Sequence, residues 1–264
     1  RKDVPVLHIA SRDWALRTGK AEEEHPIKIY TNLDEVELIL NGESCGKQCT
    51  SNYNTIFRVK LPEGNSSLVA RGYRNGVLVE DVMMMTLALF PDLHQGDELA
   101  VNVGSNCYFI SDVSHLTWLP DRPYTAGEWG YVNGKGRSTT SEIYNTLDGP
   151  IYQTWREGNW SYKIDAPIGE YEIELLIADV TKPAAQLANL LNKNKEEKHS
   201  GETRFHISIC GKQVETNFSP IDGGKHRTAF KRRYIIRNEH DHIVISAGAV
   251  KGEPFLAGIK VRKL

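Results

Sequence analysis

Short runs of alternating apolar and polar residues, broken by turn formers, recur along most of the chain. Over residues 35–40, Val36, Leu38 and Leu40 fall on one face of an expected strand. The run ends at Asn41-Gly42, where both residues accept positive φ, the signal of a two-residue hairpin. Strands also read over 27–30, 56–60 and 67–70. Another pair of runs meets across Asn75-Gly76, the second of them over 77–79. Strands this short and this closely spaced predict a sandwich of about 90 residues, the size of an immunoglobulin domain.

A polar, turn-rich stretch at 91–97 separates this region from a second one. The second region opens on Leu99-Ala100-Val101-Asn102-Val103-Gly104. Its strongest later strands read over 161–164, 171–180, 203–209, 234–236, 242–246 and 257–261. The alternation is strict in Tyr171-Glu172-Ile173-Glu174-Leu175. A larger sandwich such as a jelly roll suits it. One segment departs from the pattern. Over 183–198, Leu187, Leu190 and Leu191 have helical spacing behind Pro183, and the run then dissolves into Lys, Asn and Glu. It reads as a short helix and loop inserted between strands. The expectation is therefore an all-β chain of two domains, an immunoglobulin-like sandwich over 1–92 and a jelly roll over 93–264.

Composition narrows the function classes. Lys plus Arg is 32 and Asp plus Glu is 34, for a net charge of −2, so no chain-wide field draws in nucleic acid or an anionic membrane. The longest apolar stretch, 82–90, is far too short for a membrane span. Four scattered cysteines, Cys45, Cys49, Cys107 and Cys210, make neither a disulfide scaffold nor a zinc site and read as small buried side chains. No cofactor motif is present.

Catalytic signatures are missing too: no phosphate-binding loop, no His-Glu-x-x-His, no nucleophile elbow. His240-Asp241-His242 reads as two exposed histidines in a turn. The salient feature is aromatic. All but one of the five tryptophans lie between 118 and 160, interleaved with Tyr124, Tyr131, Tyr144 and Tyr152 in polar, glycine-rich sequence. Aromatic rings on loops stack on the C–H faces of a sugar while flanking polar groups take its hydroxyls. The same rings also fill sandwich cores. Trp160, Tyr162 and Tyr171 sit in alternating runs and read as core. Trp118, Trp129 and Trp155 are open to either reading.

Particular runs carry a family likeness. Val101-Asn102-Val103-Gly104, then Tyr124-Thr125-Ala126-Gly127-Glu128-Trp129-Gly130-Tyr131, then Tyr152-Gln153-Thr154-Trp155-Arg156, Gly169-Glu170-Tyr171-Glu172-Ile173-Glu174-Leu175, and the closing Leu256-Ala257-Gly258-Ile259-Lys260-Val261 resemble the malectin-like carbohydrate-binding domain. The likeness covers about 99–264. In the first region, Pro5-Val6-Leu7-His8-Ile9 and Asp34-Glu35-Val36-Glu37-Leu38-Ile39-Leu40-Asn41-Gly42-Glu43-Ser44 look like the immunoglobulin-like domain behind the catalytic barrel of bacterial glycoside hydrolase family 2 enzymes of the β-galactosidase type.

These resemblances imply a non-catalytic, C-terminal part of a larger glycosidase, its catalytic residues in upstream domains of the same chain. A parent of this kind is usually exported to the periplasm or cell surface. The malectin likeness implies a sugar site on loops at one end of the jelly roll. Trp129 falls on one of the family's sugar-binding aromatics. Glu157 falls on another, where Trp155 is a near substitute. The family's adjacent aromatic pair falls on Thr181-Lys182, where this sequence departs completely, and a late acidic position falls on Gly252 or Glu253. The implied carbohydrate-binding set is Trp129, Trp155, Arg156, Glu157 and Glu253, with Trp118 and Tyr131 nearby. The expected ligand is an oligo- or polysaccharide, galactose- or glucose-containing. No metal or cofactor is implied. The competing expectation is a purely structural module that packs on the catalytic barrel or mediates dimerisation.

Overall fold

The computed structural model describes residues 4–180, 203–220 and 226–264, and their backbone divides into two units, Arg1–Phe90 and Pro91–Leu264. The first unit contains β1 (Leu7–Ile9), β2 (Leu16–Gly19), β3 (Glu24–Thr31), β4 (Glu35–Leu40), β5 (Glu43–Cys49), β6 (Asn54–Lys60), β7 (Gly64–Arg74) and β8 (Val77–Leu89). They form two sheets, of order β1-β3-β6 and β2-β8-β7-β4-β5. Both Asn-Gly pairs make the expected hairpins: Asn41 and Gly42 have φ of 50° and 90°, and Asn75 and Gly76 have 51° and 78°. Alternation then does the packing. Ile27 and Ile29 from one sheet and Val36, Leu38, Leu68 and Met85 from the other are buried in a single cluster. Each such side chain contributes roughly 1.5–3 kcal/mol on leaving water.

Strand β5 escaped the sequence reading because no apolar alternation marks it. All seven of its residues are exposed, as an edge strand with charged side chains allows. That also corrects the expectation for the cysteines. Cys45 and Cys49 lie on this exposed strand, Cys107 is exposed in a loop, and only Cys210 is partly covered; all four are free thiols.

The second unit contains β9 (Glu98–Asn102), β10 (Phe109–Ile110), β11 (Thr117–Pro120), β12 (Trp129–Ser138), the single-turn α1 (Gly149–Tyr152), β13 (Thr154–Asp165), β14 (Gly169–Ile177), β15 (Arg204–Ile209), β16 (Lys212–Phe218), β17 (Phe230–Asn238), β18 (His242–Lys251), β19 (Phe255–Leu256) and β20 (Gly258–Lys263). One sheet runs β10-β11-β9-β20-β14-β17. The other runs β12-β13-β18-β15-β16, with β19 paired to β13. Trp160, Tyr162 and Tyr171 are fully buried, as their alternating runs predicted. The sequence-predicted helix over 183–198, and Thr181-Lys182 before it, lie outside the described residues.

Strand β14 is buried on both faces. Its residues alternate between faces, so Ile173 and Leu175 point one way and Leu176 the other. Leu176 joins a separate apolar cluster with Ala100, Trp118, Ile143, Ile151 and Tyr152. The segment around α1 therefore covers the outer face of this sheet, which makes it a three-layer arrangement locally.

Candidate functional site

Two places in the second unit gather functional side chains. The first surrounds the start of β13. Strand β12 was not read from the sequence, because its Gly, Lys and Asn residues give no alternation. It is instead an edge strand, bulged between Tyr131 and Lys135 and regular beyond. Its register sets Arg137 opposite Trp155 and Lys135 opposite Glu157, so these four share one face of the strand pair. Arg137 donates from Nε to Glu157 Oε1 at 2.5 Å. Glu157 also pairs with Phe255 across β13–β19, and Gly158 donates its amide to Pro254. That brings Glu253, an exposed carboxylate, beside the Glu157-Gly158 turn. Trp155 is half-buried against the outer cluster.

Arg156 falls on the opposite face and is buried. It donates from Nε and Nη2 to Asp121 Oδ2, at 3.1 and 2.7 Å, and from Nη1 to the Gly134 carbonyl at 2.8 Å. Asp121 also accepts the Tyr162 hydroxyl at 2.9 Å and the Gly104 amide at 2.8 Å. Burial, then the Asp121 charge, pushes the Tyr162 phenol well above its ordinary pKa, so it stays a donor. The guanidinium lies 3.4 Å from the centroid of the Tyr131 ring.

This arrangement revises the site expected from sequence. Arg156 donates to Asp121 and lies over the Tyr131 ring, so its guanidinium ties loops together. Trp129 is 4% exposed and has the Arg122 guanidinium 4.5 Å from its ring centroid. Trp118 is 3% exposed. Of the two readings the sequence left open, both rings take the covered one, because each starts or lies within a strand whose side chain turns inward. Trp155, Glu157 and Glu253 remain accessible, and Arg137 joins them. Only its i, i+20 pairing across two strands, invisible in the sequence, brings it there.

The second place is a cavity of about 250 Å³ on the outer sheet face, lined by Trp118, Tyr152, Asp148, Glu174, Lys231 and neighbouring residues. Lys231 approaches Glu174 at 3.1 Å and Lys260 approaches Glu98 at 3.2 Å. Gly258 leaves room for the Trp118 ring, since a methyl group there would sit 3.1 Å from it. Burial opposes ionisation of Glu174, but Lys231, Lys260 and Arg233 outweigh it and hold the carboxyl below its ordinary pKa. A depressed folded pKa stabilises the fold above the unfolded value, and that stabilisation disappears as pH falls through the folded one. The urea midpoint of the wild type should therefore exceed that of Glu174→Gln near neutrality. The gap should close as pH is lowered below about 4. A gap independent of pH would contradict the ion-pair account.

Among the described residues no group of three or more His, Cys, Asp or Glu is placed to hold a metal, and no helix is long and apolar enough to cross a membrane. His240, exposed on the turn before β18, and His242, half-buried as the first residue of that strand, stack with their ring centroids 6.1 Å apart.

Comparison with known proteins agrees with this architecture. A family model described as a domain of unknown function, DUF4982, matches residues 22–80. The Malectin domain model matches residues 98–259, more than half of the chain. The crystal structure of Bacteroides uniformis β-glucuronidase is 43% identical, with a TM-score of 0.79, over 100% of this chain and 30% of that one. The structure of B. uniformis β-glucuronidase 2 covalently bound to cyclophellitol-6-carboxylate aziridine gives the same values. A provisionally named β-glucuronidase of Formosa agariphila is 35% identical over 77 residues, 26% of this chain and 9% of that protein. The chain thus spans under a third of the length of these relatives. Its two all-β units correspond to a portion of a larger glycoside hydrolase of the family 2 type, and by its second unit the chain belongs to the malectin domain family.

Proposed function

We propose that the chain is a non-catalytic, C-terminal portion of a family 2 glycoside hydrolase and that its malectin unit binds carbohydrate on the parent's behalf. The observation that carries this reading is the correspondence of the whole chain with 30% of the B. uniformis β-glucuronidase at 43% identity. It favours a β-glucuronidase-type parent over the β-galactosidase type. Bond cleavage then belongs to upstream domains. The parent acts in the periplasm or at the cell surface, where a bound glycan raises the local concentration of cleavable linkages.

The sugar contacts belong at the β13–β19 mouth. Glu157 and Glu253 accept hydroxyls, Arg137 donates to ring or glycosidic oxygens, and the open edge of Trp155 covers an apolar sugar face. Trp118, Trp129, Tyr131 and Arg156 hold this mouth in shape from beneath. Calorimetric titration of the chain with glucuronate-, galactose- and glucose-containing oligosaccharides should give binding that the double variant Glu157→Ala/Glu253→Ala weakens at least tenfold. A flat response across the panel would remove the proposal.

The burial of Trp118 and Trp129 favours a second reading, in which the module only supports the parent enzyme. Deleting residues 91–264 from the full-length hydrolase would then lower its stability or change its oligomeric state, without changing its retention on polysaccharide.

A further inference from the structure

We infer that the outer face of the three-stranded sheet in the first unit is a docking surface for a carboxylated polysaccharide. Register fixes what stands on it. Across β3–β6, Tyr30 faces Asn54, Lys28 faces Ile56 and Pro26 faces Arg58. The residues between them, Ile27, Ile29, Phe57 and Val59, fill the core, so this set points outward. Tyr30, Ile56 and Pro26 are diagonal neighbours and all exposed, a contiguous apolar surface and not scattered exposure. Tyr53 adds a second ring at one end. It precedes Asn54 in a two-residue turn that Ser51 and Asn54 close with bonds of 3.0 and 3.1 Å. The turn needs positive φ at both central residues, 51° at Asn52 and 60° at Tyr53, where glycine is the preferred second residue. The chain keeps there a tyrosine that is 66% exposed, so packing does not explain the ring.

Charge on this face selects the ligand. Among the outward residues of the three strands, Glu24 is the one carboxylate. It lies opposite Lys60, which Glu22 also approaches at 3.2 Å, so the acids gather at that end. Glu24 is about 13 Å along β3 from Lys28. Lys28 and Arg58 have no carboxylate within ion-pair distance among the described residues, and the Lys28 ammonium lies 4.7 Å from the Tyr30 ring centroid. Two unanswered cations beside exposed rings complement a chain of pyranoses that carry carboxylates. The rings and Ile56 take the C–H faces, and Lys28 and Arg58 take the charges. Two such cations are few for a nucleic acid, whose binding rests on many phosphate contacts. The face belongs to the first unit and shares no residue with the β13–β19 mouth, so it stands or falls apart from the function proposed above.

The test titrates the intact 264-residue chain, labelled with ¹⁵N, with oligogalacturonate, with its methyl ester, which keeps the sugar and masks the charge, and with poly(U). Oligogalacturonate should move the backbone amides of Lys28, Tyr30, Tyr53, Ile56 and Arg58. The methyl ester should bind at least tenfold more weakly, and affinity for the acid should fall as salt screens the exposed cations. Lys28→Gln/Arg58→Gln should weaken binding at least tenfold and leave the urea midpoint unchanged, because it breaks no ion pair. Tyr53→Gly should also weaken binding without lowering the midpoint, since glycine suits the turn better than tyrosine does. That variant separates a lost contact from a lost fold. Glu157→Ala/Glu253→Ala should bind oligogalacturonate as the wild type does. Unmoved β3 and β6 amides, equal affinity for the ester, full affinity in Lys28→Gln/Arg58→Gln, lost affinity in Glu157→Ala/Glu253→Ala, or tighter binding of poly(U) would each overturn the inference.

Discussion

Arg156→Ala is expected to destabilise the second unit by about 3–5 kcal/mol, the range seen when one partner of a buried ion pair is removed. The side chains of Arg156 and Asp121 are 7% and 2% exposed, so neither charge has water to fall back on. Without the guanidinium, Asp121 keeps the Tyr162 hydroxyl and the Gly104 amide but loses its counter-charge. The Gly134 carbonyl also loses its donor, and the Tyr131 ring its cation. Urea unfolding followed by tryptophan fluorescence measures the loss. The double variant Arg156→Met/Asp121→Leu should recover only part of it, because it leaves no stranded charge but strips the Tyr162 hydroxyl, the Gly104 amide and the Gly134 carbonyl of their partners. A single-variant loss under about 1 kcal/mol would show that water reaches Asp121 and that the pair is not the clamp described here.

Gly104→Ala is the second large effect. Gly104 has φ of +79°, where an L side chain is strained by roughly 1–2 kcal/mol. Space is tighter still: an added Cβ would lie 2.2 Å from the Trp155 carbonyl oxygen and 2.8 Å from its amide nitrogen. Both are backbone atoms, so rotating a side chain does not relieve the clash. The β9 end and the β13 start must separate, at a further cost of about 1–3 kcal/mol. A total near 2–5 kcal/mol is expected by chemical denaturation, together with altered near-ultraviolet dichroism from Trp155. Because the β13–β19 mouth is built on this strand, any oligosaccharide binding there should fall in parallel. A variant as stable as wild type would mean that the two backbones are not in contact.

Several features were plain in the sequence because they are local. Two Asn-Gly pairs specify hairpins through positive φ alone, and the alternation around Val36 names the buried face without reference to any partner strand; around Ile173 it names one of two, since β14 is buried on both. The core roles of Trp160, Tyr162 and Tyr171 follow from the same period of two. The edge strands β5 and β12 were hidden for the converse reason. An edge pairs on one side only and needs no apolar face, so charge and glycine there look like loop.

The candidate site was harder to read than the fold. The family likeness pointed to Trp129, Trp155, Arg156 and Glu157, but not to which of them face solvent. Adjacent residues on a strand point to opposite sides, so Arg156 turns into the Asp121 network while Trp155 and Glu157 stay on the other face. Arg137 meets Glu157 only through cross-strand register. The outer cavity depends on residues from 98 to 260 meeting over one sheet, and on the segment around α1 folding across it.

By itself, then, the order of residues determined strand periodicity, turn positions and the malectin likeness, since each is written within a few neighbouring side chains. Tertiary structure alone decided which aromatic rings are covered, which charges are answered by a partner, and which residues line the cavity on the outer sheet face. Those depend on atoms distant in the chain, whose approach is set by sheet order and register.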